Sequence, residues 1–267
     1  MSSESAYPPA SDDAEPPDAE EAESQIASVL AWALPPGKPA PALRARLIER
    51  ARTTAVSTLR RDDGIWFRVA DGVSRKVVFS DAQDRGSTAL WRMEAGAAVQ
   101  LQAERGDVVV IVIDGSVEVA DDAAPRALTV GDALGLHAHG VHLRAGAPAA
   151  LLVAVTFDAI DGPPGVEYAL AEDHPPVPLN GEASARPLFL HRAPRPDVAL
   201  ITVAAHGALD EHEHPETEEL LCLDGSCESH GEHLDPGDYQ RTRAGSAHDR
   251  TTTTTGSTIL VLRRHFS

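Results

Sequence analysis

G-A-L-D-E-H-E-H-P-E-T-E-E-L-L-C-L-D-G, residues 207–225, is the stretch from which the rest of the fold follows. Side chains on a strand alternate between faces with a period of two, so His212 and His214 are expected on one face. Glu218 has the same parity. The apolar run Leu220–Leu223 follows, and Asp224-Gly225 reads as the centre of a tight hairpin turn. His248, in the turn-like segment R-A-G-S-A-H (243–248), supplies a fourth potential ligand from a distant strand. Three imidazoles and a carboxylate make an N/O site for one divalent metal. A solvated acidic loop would carry the same residue types, but ligands beside a hairpin are placed rather than scattered.

Composition points to strands. Twenty glycines and twenty prolines spread along 267 residues favour many short strands joined by turns, and a 42% hydrophobic share can fill two modest cores. The net charge of −18 excludes a phosphate-binding surface, which needs a dense basic stripe. No nucleic acid is expected as a partner. No 18-residue apolar run appears, and the first thirty residues lack the basic start and apolar core of a signal peptide, so a cytoplasmic chain with no membrane association is expected. Two cysteines are too few for a disulfide framework and stay thiols in a reducing compartment.

Residues 1–23 carry eight acidic side chains and no Lys or Arg, the pattern of a disordered solvated tail. Residues 24–33 (S-Q-I-A-S-V-L-A-W-A) and 42–52 (A-L-R-A-R-L-I-E-R-A-R) show helical spacing around a Pro-rich link. A short helical segment over 24–53 follows. Beyond it the pattern turns to strands and repeats. T-A-L-W-R-M-E-A-G, V-V-V-I-V-I-D-G-S-V-E-V, L-T-V-G-D and A-L-L-V-A-V-T-F within 88–157 match D-V-A-L-I-T-V-A-A-H-G, E-L-L-C-L-D-G-S-C-E-S, L-D-P-G-D and S-T-I-L-V-L-R-R-H-F within 197–266. Asp114-Gly115 corresponds to Asp224-Gly225, and Gly131-Asp132 to Gly237-Asp238.

Residues 207–225 also read G-x4-H-x-H-x3-E-x6-G, and residues 237–248 read G-x5-R-x-G-x2-H. This pair resembles the two signature motifs of the cupin superfamily, with Arg243 where the family commonly has Pro. The resemblance implies an all-β fold of two tandem jelly-roll barrels behind the short helical segment, with a degenerate barrel over 54–165 and a metal-binding barrel over 166–267. Among cupins, H-E-H-P-E-T-E-E-L-L-C-L-D-G-S-C with D-P-G-D-Y-Q-R and G-S-A-H is most similar to the ChrR group, zinc-binding cupins behind a helical anti-sigma domain. L-A-W-A-L-P-P-G-K-P-A-P-A-L-R-A-R-L-I-E-R-A resembles the link between those parts. The H-x3-C-x2-C pattern of the anti-sigma domain is absent: the first His is His137 and the first Cys is Cys222.

The metal site is therefore read as His212, His214, Glu218 and His248, with zinc the leading ion and iron, manganese or nickel the others. In the first repeat Gln102 and Glu104 stand at the histidine positions, Val108 replaces Glu218, and His142 corresponds to His248. That leaves either a polar, water-filled interior or a weak site including His137 or His139. Across a type I′ turn Cys222 would face Cys227, either as a reversible disulfide or as two small buried hydrophobes. Tyr239, Arg241, Arg243 and His230 are candidates for lining a substrate site, with exposed strand residues as the alternative for the arginines. The five threonines 251–255 suit a strand lining one wall, or a polar edge strand. Two functions fit. One is a ChrR-like regulatory protein, monomer or homodimer, that senses or is stabilised by metal, contacts a sigma-factor-like partner through its N-terminal helices and takes a possible small-molecule ligand. The other is a metal-dependent cupin dioxygenase or related enzyme acting on a small organic substrate.

Overall fold

V-V-V-I-V-I at 108–113 is an unbroken apolar run, the signature of a strand buried on both faces. The computed structural model describes residues 56–81, 86–102, 106–120, 124–159, 162–190, 195–213 and 215–264, and there Asp107–Asp114 is such a strand. Val108, Val110 and Val112 enter one apolar core with Leu128, Leu134, Leu136 and Leu143. Val109 and Ile111 face the opposite way, into a second layer with Leu188, Phe189, Leu221, Leu260 and Leu262. Thr217–Gly225 repeats the division: Leu220 and Cys222 enter a third core with Cys227, Leu234 and Ile259, and Leu221 enters the shared layer.

Two seven-stranded antiparallel sheets flank that layer among the described residues. One runs Gly165–Ala169, Ala133–His137, Asp107–Asp114, Ala150–Phe157, Gly86–Met93, Val73–Asp81, Phe67–Ala70. The other runs Val56–Leu59, Tyr239–Thr242, Thr217–Gly225, Ser257–Arg264, Asp197–Val203, Ala183–Phe189, Val177–Pro178. Four-stranded sheets built from 98–145 and 208–252 complete the two halves, and a two-stranded pair, His212–Glu213 with Ala247–His248, stands beside the second.

The expected two tandem barrels behind a helical segment are corrected by this arrangement. All described residues belong to one compact unit, a cupin-like β-sandwich, and none is helical. The physical reason is strand exchange. Val56–Leu59, first in the chain, pairs with Tyr239–Thr242 of the second sheet, whereas Gly165–Ala169 pairs with Ala133–His137 of the first. With one apolar layer shared between the sheets, neither half is complete alone. The segments read as helices at 24–33 and 42–52, and the acidic tail, lie outside the described residues. Among the described residues no helix is long and apolar enough to cross a membrane.

The repeated Gly-Asp pairs clip the exchanged strands. Asp132 accepts the Thr129 amide at 2.7 Å and, from beyond the exchanged strand, the Ala171 amide at 2.7 Å. Asp238 accepts the Asp235 amide at 3.2 Å and the Arg61 amide at 2.7 Å, with Arg60 adding an ion pair at 3.1 Å. Gly131 and Gly237, at φ 90° and 94°, permit the turn that aims each carboxylate. The loop after Val56–Leu59 also wraps Lys76, which is 2% exposed and donates to the Arg61 and Asp63 carbonyls at 2.7 and 3.1 Å.

Between the sheets lies a buried polar cluster. Glu219, 0% exposed, accepts from Arg264 Nε on one oxygen, and from Thr88 Oγ1 and Tyr239 Oη on the other. Arg264 reaches across with Nη1 to the Thr156 carbonyl at 3.0 Å and Nη2 to Thr88 Oγ1 at 2.8 Å.

Arg264→Met strands the Glu219 charge in the shared layer and is expected to lower unfolding stability by about 3–5 kcal/mol in urea titration; a change below about 1 kcal/mol would show that the pair does not tie the sheets. A pH test addresses the clip. Burial works to raise the Asp238 carboxyl, but the Arg61 and Asp235 amides and Arg60 more than reverse this and hold it below its ordinary value. A depressed folded value means stability present above the unfolded carboxyl value of about 4 and lost as pH falls through the lower folded one. Asp238→Asn should therefore be less stable at neutral pH and lose less stability on acidification below about pH 4, read by thermal unfolding across pH.

Candidate metal centre

Residues pointing into the second-half core are the even positions of Thr217–Gly225 and of Tyr239–Thr242. Glu218 lies there, 4% exposed, opposite Thr242 on one neighbour and Arg263 on the other. Arg263 Nε donates to Glu218 Oε2 at 2.8 Å. Beside them the wall is polar. Ser229 Oγ donates to Gln240 Oε1 at 2.8 Å, and Gln240 Nε2 donates to Thr58 Oγ1 and the Ser229 carbonyl, each at 3.3 Å. Thr251 Oγ1 lies 3.5 Å from Ser229 Oγ. His230, in a left-handed turn at φ 50°, brings Nε2 to 3.4 Å from Thr242 Oγ1, with Asp249 3.9 Å from its Nδ1.

The register of the short strand pair sets His212 directly opposite His248, with Glu213 opposite Ala247. Residues opposite each other in an antiparallel pair lie about 4.5–5.5 Å apart. His212 Nδ1 is 3.0 Å from the Asp210 carbonyl, a contact that orients its ring. The parity argument linking 212, 214 and 218 on one strand does not hold, because His212–Glu213 and Thr217–Gly225 are separate strands with a bend at 215–216 between them. Strand pairing, not alternation, brings 212 and 248 together. His214 lies outside the described residues. Among the described residues no cluster of three His, Cys, Asp or Glu stands close enough to hold a metal ion.

The first half does not form a water-filled interior. Its core positions are Val108, Val119, Leu134, Leu136, Val141 and Leu143, closely packed. His142 alternates outward between Val141 and Leu143 and is exposed, as is Gln102. His137 turns away from that core to Asp107, with Nδ1–O distances of 2.8 and 2.7 Å. Glu104 lies outside the described residues.

Other expectations change. Tyr239 and Arg241 face the shared layer: Tyr239 donates to Glu219 at 2.8 Å, and Arg241 lies 4.1 Å over the Phe79 ring. Burial pushes the Tyr239 phenol well above its ordinary value, with Glu219 adding to the shift. Arg243 is exposed. Of the threonines, Thr251 and Thr252 form the strand, while Thr253 instead closes a turn, donating to the Ser226 carbonyl at 2.7 Å and accepting the Gly256 amide at 3.0 Å. Asp224-Gly225 is not a two-residue hairpin, because Thr217–Gly225 and Cys227–Ser229 belong to different sheets. Gly225 is required by close approach: a Cβ there would lie 2.0 Å from the Gly256 carbonyl oxygen. The corner still joins Cys222 and Cys227, both buried free thiols. The hydrogen bond from Cys222 holds the Cys227 thiol below its ordinary value and, with burial, pushes Cys222 up.

Residues 167–267 match the family model described as the ChrR cupin-like domain. The same architecture recurs in solved structures. Ylba from E. coli superposes with a TM-score of 0.64 at 12% identity, covering 79% of this chain and 93% of that one. The fold is a cupin fold. A putative dioxygenase from Nostoc punctiforme shares it at TM-score 0.60 and 15% identity, over 78% of this chain and 82% of that one. A variant of the Bacillus subtilis oxalate decarboxylase OxdC shares it at 0.61 and 13%, over 79% and 78%. No curated protein matches the chain in sequence.

What sequence reading missed within this cupin interior is the polar wall and Arg263. A signal was present: repeat positions apolar in the first half, Val108, Val119, Leu134 and Leu136, are Glu218, Ser229, Gln240 and Thr242 in the second. For the thiols, a bulky disulfide reagent should label neither Cys222 nor Cys227 in the native protein and both in denaturant. Rapid native labelling of either would show that the corner opens.

Proposed function

We propose that the second half is a regulatory metal-binding cupin of the ChrR kind, holding one divalent ion, zinc first, through His212, His214, Glu218 and His248. The observation that carries this reading is the pairing of His212 with His248 in the same half that matches the ChrR cupin-like model. The donor set fits the ion: imidazoles and a carboxylate suit zinc, and the lining changes from apolar to polar only in the half that contains them. A bound ion supplies a Lewis-acid centre and a metal-dependent addition to fold stability. Glu218 is held by Arg263, an outer contact that orients a ligating carboxylate. A sigma-factor-like partner is assigned to residues 24–53. A second reading, a metal-dependent dioxygenase or related enzyme on a small organic substrate, is favoured by the wall of Ser229, His230, Gln240 and Thr242, which offers more polar groups than four ligands need.

Elemental analysis of protein purified without chelators or nickel resin tests the site. About one equivalent of zinc, lost in both His212→Ala and His248→Ala together with a lower melting temperature, is the expected result. Iron, manganese or nickel lost in the same variants would favour the enzyme reading. Equal metal content in wild type and variants would remove the assignment. Arg263→Met should keep the ion but weaken its affinity roughly 10–100-fold in chelator competition.

A further inference from the structure

A cleft of about 240 Å³ opens at the rim of the shared layer, away from the candidate metal centre, where the strands Asp107–Asp114, Ala133–His137, Ala150–Phe157 and Gly165–Ala169 end. Phe157, Pro163, Pro164 and Val166 give it an apolar floor, and Arg195 closes its inner side. Arg195 is 6% exposed. Its guanidinium lies 4.4 Å over the Phe189 ring, and Nη1 donates to Glu167 Oε2 at 2.7 Å. Nε is buried and has no hydrogen-bond partner. Gly135 makes room for this placement, since a Cβ there would come within 3.7 Å of Nη1 and 3.8 Å of the Phe189 ring. His137 stands on the other side, its Nδ1 on Asp107 at 2.7 Å and its Nε2 2.8 Å from the Gly162 carbonyl.

We infer that this cleft binds a small carboxylic acid with a flat apolar body, its carboxylate accepting from the buried Arg195 Nε–H and its body lying on Phe157 and the two prolines. A guanidinium is the group best shaped for a carboxylate, and a buried N–H without an acceptor is a cost that the ligand removes. Stacking on Phe189 and the ion pair with Glu167 hold the planar fork in place before the ligand arrives, so little ordering is lost on binding. The 50% exposed Glu167 carboxylate keeps half of its own contact with water, which lets the guanidinium be shared. The apolar floor excludes a fully hydrated dianion and selects an acid with one carboxylate and a ring-sized body.

The test uses the full chain and benzoate, followed by saturation-transfer NMR and calorimetry. Saturable binding is expected, weakened at least roughly tenfold for benzamide, which has the shape without the charge, and for Arg195→Lys, which keeps the charge but has no Nε. Gly165→Leu provides a second variant: Gly165 lines the cleft and a Cβ there meets nothing within 4 Å, so the side chain fills open space, the fold is retained, and binding should disappear. His212→Ala should leave benzoate binding unchanged, because the cleft belongs to the other half. Absence of saturable binding in the native chain, equal binding of benzamide, or full binding by Arg195→Lys or Gly165→Leu would overturn the assignment.

Discussion

Arg264 sits where the two large sheets meet, and its charge constrains everything around it. A guanidinium taken out of water must have its donors matched, because an unpaired buried charge costs more than the sandwich can spare. Glu219 from its own sheet, with Thr88 and the Thr156 carbonyl from the other, supplies the matches. An apolar layer alone resists sliding weakly. A layer with one fully paired ion at its edge has a single register, and Val109, Ile111, Leu221 and Leu260 interdigitate in that register.

The same constraint explains why the chain trades strands between its halves. A sheet that ended at Tyr239–Thr242 or Ala133–His137 would leave a row of backbone donors and acceptors unpaired beside the shared layer, and the exchanged strands cover those rows. Asp238 and Asp132 then lock each exchanged strand by accepting an amide from the loop that follows it. One consequence reaches the candidate metal centre directly. Thr58 comes from the beginning of the chain and receives the amide of Gln240, so the polar wall depends on a segment some 180 residues away in sequence.

Two interiors thus share one strand order and differ in chemistry. In the first half, aliphatic side chains fill the space and leave no polar surface for a ligand, and the polar groups nearby, His137 with Asp107, Arg195 with Glu167, collect outside that core at the rim. In the second half, Glu218, Gln240, Thr242, Ser229 and Thr251 replace apolar positions, and each polar group is paired, as burial requires. An interior already organised to satisfy polar groups is one into which an ion or a polar ligand can be introduced at small additional cost.

Much of this was legible in the chain itself. The run at 108–113, the repeated Gly-Asp pairs and the two cupin motifs determine an all-β chain and identify the half in which His212, Glu218 and His248 stand, because apolar periodicity and turn residues are local properties that each segment carries with it. Pairing is not local. Alternation suggested that 212 and 218 share a strand, and a bend at 215–216 separates them; Asp224-Gly225 suggested a hairpin, and the chain instead turns a corner from one sheet to another; Tyr239 and Arg241 suggested a site, and both face the layer between sheets. Each of these depends on which strand lies next to which, and that was decided only when the sheets paired, exchanged strands and buried Arg264 between them. Local pattern specifies which face of a segment is apolar, and tertiary packing alone specifies what that face meets.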